Sequence, residues 1–302
     1  MTNYNFDSII SGITTGKIVP YLGPGVLNGV VHKQSGVNIP ADSDSLILAM
    51  NNGKPMAPRL MYEFPRAAMN MELKKGRKFV NRFLNDTYSD DQWTRSTLHN
   101  WLGNIKPPYV IDVNRDTQLQ DSYADTPHLL IRGISRVSGT DYRFTLHQYD
   151  GENYHEYSQD QIAQNQIDTH LPVLFKPMGS PLPEATYIAS DADYVDYITE
   201  LMGGFGLPVF LKEYRKNKQY LFIGLSMNRD TERMILSDII YAADNPAGWA
   251  LIENPTAKER RFCKRVCLEI IEVSVTDFLN STGFSIPVKD HIDASVSAGC
   301  QA

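Results

Sequence analysis

The chain is poor in cysteine. Only Cys263, Cys267 and Cys300 occur in 302 residues, and none belongs to a Cys-x-x-Cys pair. So sparse and odd a set makes neither a disulfide framework nor a four-cysteine zinc ribbon, and it fits a reducing compartment. No zinc and a cytoplasmic location are therefore expected. There is no apolar run near the roughly 20 residues that span a bilayer. Residues 1–6 are polar, where a signal peptide would be basic and then apolar. No membrane contact is expected. Excess positive charge is also missing: 29 Lys and Arg face 35 Asp and Glu, a formal net charge of −6. Such a surface does not attract a phosphate backbone, which argues against nucleic acid as a partner. No internal repeat is seen.

What is present is ordinary globular composition, 42% hydrophobic and 21% charged, enough for a real core. Asp7 caps a helix over 8–15 that Gly16 ends. A buried strand follows over 17–22, in spite of Pro20. Residues 28–55 read as a loop with a little helix. From 57 to 104 the apolar spacing is helical: Leu60, Met61, Phe64, Ala67, Ala68 and Met71, then Phe79, Val80, Phe83 and Leu84. The basic run at 74–78 reads as a solvated helix face or turn. A strand is expected over 109–113. Antiparallel β is expected over 129–137, 142–148 and 153–157, with a turn at Asp150-Gly151. Another strand covers 171–176.

The last third alternates strand and helix, with strands at 220–224, 247–252 and 267–271. Such alternation predicts an α/β fold with a doubly wound, mostly parallel, Rossmann-like sheet. The expected layout is one domain over 1–285, carrying a helical insertion (56–104) and a small antiparallel β-hairpin insertion (127–170). A flexible tail over 286–302 completes it.

Ligands of such sheets bind at the carboxyl ends of the strands, so the loops there are the candidates. After the first strand come Gly23, Pro24, Gly25 and Val26, where paired glycines let backbone N–H groups approach a phosphate. A tight turn explains the same residues equally well. After the second come Asn114 and Asp116, suited to ribose hydroxyls or to capping the next helix. After later strands come Met178-Gly179 and Gly224-Leu225-Ser226; the latter pairs a small residue with a hydroxyl.

In this order the loops resemble the sirtuin-like superfamily, in particular its bacterial zinc-free branch, over most of the chain. Residues 19–26 (VPYLGPGV) resemble its first strand and glycine loop, with Pro24 in place of Ala. Ile39-Pro40-Ala41-Asp42 resembles the segment that follows. Asn114 and Asp116 match its Asn-x-Asp on the nicotinamide-ribose side. Asp193-Tyr194 fits the family's Asp-Tyr, and residues 222–226 (FIGLS) its adenosine-side turn. The resemblance implies NAD or ADP-ribose as ligand. Its bacterial members also often assemble, which implies a homo-oligomer or a protein partner.

One departure bears on activity. Met178 stands where the family's histidine acts as base, and a thioether has no proton to exchange. Losing a general base costs about 10²–10⁴-fold in rate. The expectation is a catalytically impaired nucleotide sensor or regulatory module. The alternatives are an NAD glycohydrolase of bacterial defence type, using Asn114 and Asp116, and a structural protein with a plugged pocket. His99, His147, His155 and His170 are the other titratable candidates near the expected site. His147 and His155 flank the hairpin turn and could face each other. With Asp150, Glu152 and Glu156 the histidines could bind metal, but their spacing is not diagnostic, and no metal site is assigned.

Overall fold

The computed structural model describes residues 5–135 and 140–284. The expected tail at 286–302 lies outside them. Seven strands form the parallel body of one nine-stranded sheet: β1 (Ile18–Leu22), β2 (Tyr109–Asp112), β3 (His128–Gly133), β6 (Val173–Lys176), β9 (Gln219–Ile223), β10 (Gly248–Leu251) and β11 (Leu268–Ile271). Two more, β4 (Phe144–Tyr149) and β5 (Tyr154–Glu156), extend one edge antiparallel. The order is β11-β10-β9-β1-β2-β6-β3-β4-β5. A separate small antiparallel pair joins β7 (Gly179–Ser180) to β8 (Thr186–Tyr187).

The expected hairpin insertion is corrected in one respect. Its first strand, β3, pairs antiparallel with β4 as expected, but its other edge pairs parallel with β6, so β3 is also a member of the main parallel sheet. The Asp-Gly turn signal is local, whereas β3 is placed by tertiary pairing. Pro20 is tolerated in β1 because pairing to β2 begins only at Tyr21.

Parallel strands covered on both faces read as continuous apolar runs, and these do. Alternate side chains enter two cores. Ile18, Val110, Leu174, Leu221 and Leu251 pack on one face. The helices there are α1 (Asp7–Thr14), α2 (Ser43–Met50), α3 (Phe64–Lys75), α4 (Arg77–Tyr88), α5 (Thr97–Ile105) and α12 (Val275–Ser281). Val19, Ile111, Phe175, Phe222 and Ala250 pack on the other face. It is covered by α7 (Gln159–Ala163), α8 (Asp191–Gly203), α9 (Val209–Tyr214), α10 (Asp230–Ile239) and α11 (Ala257–Arg265), while the short α6 (Gln118–Ser122) follows β2. No helix of the described residues is long and apolar enough to cross a membrane.

The first helix starts one residue earlier than expected, with Phe6 rather than Asp7 at its cap. The basic run is not merely solvated: Arg77 reaches Asp193, Glu72 and the Tyr187 carbonyl. The chain enters the sheet at β1, fills one side through β2, β6 and β3, then returns to fill the other from β9. The strand order therefore reverses between β1 and β9. A crevice at the carboxyl ends of the strands is expected at such a reversal.

Candidate functional site

A cleft of about 760 Å³ opens at that point. It lies in the size range of small-molecule sites. Pro24, Gly25 and Val26 line it from the β1 turn, and Gly224 and Ser226 from the β9 turn. Leu251 ends β10 at its wall, and Ser274 caps α12 there.

The two turns need their glycines. Gly224 has φ +70°, and a Cβ on it would lie 2.6 Å from the Val26 nitrogen. The Gly25 N–H donates to the Gly224 carbonyl at 2.8 Å, and the Gly23 N–H to the Ile223 carbonyl at 2.9 Å. Pro24 has no N–H. The expected phosphate cradle of free N–H groups is thereby corrected: these donors are spent on holding the β1 turn against β9.

The electrostatics of the cleft come from helix starts instead. The first turns of α2, α5, α10 and α11, or the residues capping them, all contribute to the lining. Each helix N-terminus carries about half a positive charge. Asp42 caps α2 by accepting from the N–H groups of Asp44 and Ser45. Glu259 is buried and accepts from Thr256 and from the Met227 N–H. Asp44, Glu232 and Glu253 add further carboxylates, and Arg229 is the one cation among the described lining residues. Arg229 is itself engaged: it donates to the Tyr62 carbonyl, and its guanidinium lies 5.2 Å from the Tyr62 ring.

Beside the cleft lies a second cavity of only about 60 Å³, lined by Met178, Arg115, Phe64, Tyr194 and Leu225. That is far below a ligand site and suits at most a few waters. Met178 is 3% exposed. Arg115 is fixed by the Ile188 carbonyl and the Tyr194 hydroxyl, and sits over the Phe64 ring at 5.3 Å. Gly179 has φ +81°, and a Cβ there would collide with the Thr186 carbonyl.

Asn114 and Asp116 are buried and are not among the residues lining these two cavities. Gly23 and Gly179 also stay behind the lining. The Asn114 side-chain amide donates to the Gly23 carbonyl at 3.1 Å and to Asp112 at 2.8 Å, so it braces the β1 turn from below. Its Oδ1 has no partner. Asp116 accepts from the Gln118 N–H at 2.7 Å, the capping alternative, and its Oδ2 is unpartnered.

Asp112 anchors this layer. Burial alone would raise its carboxyl, but the Lys176 ammonium 2.8 Å away outweighs that, His99 adds to it, and the carboxyl is held well below the ordinary range. His99 is fully buried, 3.6 Å from Asp112, behind the site rather than in it.

The other histidines lie away from the cleft. His155 pairs with Asp150 at the surface and His170 is exposed. His147 is opposite Glu156 and points to the other face from His155, so the two do not face each other. His147, Glu156 and Glu184 bring ligand atoms within 4.8 Å of one another. The Arg132 guanidinium lies 4.0 Å from Glu184 and works against a cation there.

Glu232 was not among the expected site residues. It occupies the first turn of α10, and its Oε2 is buried without a partner. Burial and the neighbouring Glu63 push its carboxyl up to about 7, against the pull of Arg229 and Arg233. In the sequence it resembles any acidic residue at a helix start. The one available clue was its place in the helix that follows the Gly-x-Ser turn.

A family model described as SIR2-like domain matches residues 109–271. The chain belongs to the SIR2-like family. The match runs from β2 to β11 and so includes Met178, Ser226 and Glu232. Strand β1 and its glycine turn precede it and join the site through space. SIR2-like domains generally bind NAD-related ligands, and an NAD-related role follows for this chain at that level. No curated protein matches the sequence.

Proposed function

We propose that the protein binds a nucleotide of the ADP-ribose class by its adenosine and ribose end, and has lost ordinary sirtuin turnover. The observation that carries this reading is the contrast between the two cavities. The 760 Å³ cleft, with its Ser226 and Asn228 polar groups, is large enough for an adenosine. The 60 Å³ space beside Met178 does not accommodate a nicotinamide ring. The intact dinucleotide therefore fits only in part. The family's ligand would supply a polarised glycosidic bond there, and this chain offers no base at Met178 to act on it.

Calorimetric titration tests the reading. ADP-ribose is expected to bind at least about tenfold more tightly than NAD, a difference of roughly 1.4 kcal/mol. Nicotinamide release is expected to be absent, and Met178→His alone is not expected to restore it, because the pocket lacks room as well as a base. Steady nicotinamide release by the wild type would refute it.

One observation favours glycohydrolase activity as a second reading: the unpartnered Oδ1 of Asn114, which could hold a water if the base-side pocket opened. That reading requires release that disappears in Asn114→Ala. A sensor must also present its state at a surface. Met202 of α8 and Met234 of α10 are exposed and share a shallow depression, and α10 also carries Glu232. Ligand-dependent contact with a second copy or another protein would be offered there.

A further inference from the structure

Four residues border both cavities: Pro24, Ser43, Leu225 and Glu232. Glu232 is the one titratable member of that set. Its carboxylate takes the Arg229 backbone N–H, as an acidic residue in a first helical turn does, which leaves Oε2 buried and without a hydrogen bond. A buried oxygen of this kind costs free energy unless something donates to it. The structure around it offers little. Burial raises the hydroxyls of Tyr21 of β1 and Tyr194 of α8, and both are close enough for the Glu232 charge to add to it. Glu63, ahead of α3, adds a like charge and is itself committed to the Asp230 N–H. Arg115 is held by Ile188 and Tyr194, Arg233 by Asp230 and the Met227 carbonyl, and Arg229 by Tyr62.

We propose that Glu232 is the hydrogen-bond acceptor for a ligand hydroxyl at the junction of the two cavities, so that nucleotide binding is coupled to loss of its proton. The hydroxyl is of the ribose class. This assignment rests on the nucleotide reading above. Free Glu232 is partly protonated at neutral pH, because burial and Glu63 raise it to about 7. A donating hydroxyl favours the carboxylate, so the bound state holds its proton less tightly and releases it to solvent. Affinity therefore rises with pH through about 7 and levels off above it. Below about 6 it falls by close to tenfold per pH unit, as one-proton linkage requires.

The test is calorimetric titration with ADP-ribose from pH 5.5 to 8.5, in buffers of different ionisation enthalpy. Near pH 7 the wild type is expected to release about half a proton per ligand bound. Glu232→Gln keeps an acceptor for the Arg229 N–H and is expected to abolish both proton release and pH dependence. Glu63→Gln removes the like charge while keeping an acceptor for Asp230, and is expected to move the midpoint to lower pH. Binding that is independent of pH, or proton release unchanged in Glu232→Gln, would overturn the assignment and leave the nucleotide reading standing. Absence of binding in every folded form at every pH would overturn the nucleotide reading, and this one with it.

Discussion

Lys176→Met should be among the most damaging single changes in the β2 and β6 layer. Lys176 and Asp112 are both fully buried, with Nζ 2.8 Å from Oδ2. Coulomb's law with an effective dielectric constant near 20 gives roughly 6 kcal/mol for unit charges at that separation, from which desolvation must be subtracted. Breaking such a pair from one side typically costs about 3–5 kcal/mol, because the remaining charge is left buried and uncompensated. That range is expected for Lys176→Met in urea unfolding at pH 7. The double variant Asp112→Asn with Lys176→Met leaves no lone charge and should recover part of the loss.

The dependence on pH separates this cause from a simple packing defect. In the wild type the folded value of Asp112 is depressed. Its contribution is present above the unfolded value near 3.8 and is lost only as pH falls through the folded one. Between pH 7 and 5 it is constant. In Lys176→Met the ammonium is gone and burial raises the folded value. The penalty is then full at pH 7 and eases as the carboxyl takes up a proton. The cost should therefore be smaller at pH 5 than at pH 7. A cost below about 1 kcal/mol, or one equal at both pH values, would refute the reasoning.

Two further outcomes are expected. Gly224→Ala should destabilise by about 1–3 kcal/mol and weaken ADP-ribose binding, through its positive φ and the 2.6 Å approach to Val26. Gly29→Ala has a similar φ of +85° with open space around it, so it should cost less and leave binding unchanged; equal costs at the two positions would rule out the steric cause. Burial lowers the buried His128 imidazole from 6.5 to about 4, while its ring nitrogens bond the Thr126 carbonyl and the Tyr154 hydroxyl. Its contribution is complete above 6.5 and is lost as pH falls toward 4, up to about 3 kcal/mol. His128→Gln should flatten the stability curve over that window, and an unchanged slope would exclude His128 as its source.

The sheet was legible where pattern and topology coincide. Strands β9 and β10 are apolar over most of both faces, β11 carries the single exposed Glu269, and all three alternate with helices, so composition largely places them. The glycine turns after β1 and β9 were legible as turns, because the backbone angles they need leave a mark in residue type. Their hydrogen bonds were not. Nothing local says that the Gly23 and Gly25 N–H groups would be spent on β9, since that depends on two segments about 200 residues apart meeting edge to edge. The position of β3 inside the sheet was hidden for the same reason.

Asn114 and Asp116 mark the boundary between residue type and role. Both have the chemistry expected of ribose ligands, yet both are buried and satisfied in part by neighbours. Glu232 is the converse: an ordinary helix-start carboxylate becomes unusual only because Glu63 and the walls of two cavities close around it. Met178 combines the two cases. Its residue type offers no exchangeable proton, which the sequence alone discloses. With Phe64, Tyr194 and Leu225 it also lines a space of only about 60 Å³, which only the fold discloses. A lost base with an open pocket would invite rescue by one substitution. On the proposed reading, a missing base beside a nearly filled space predicts no rescue by one substitution, whereas the cleft of about 760 Å³ stays large enough for a ligand.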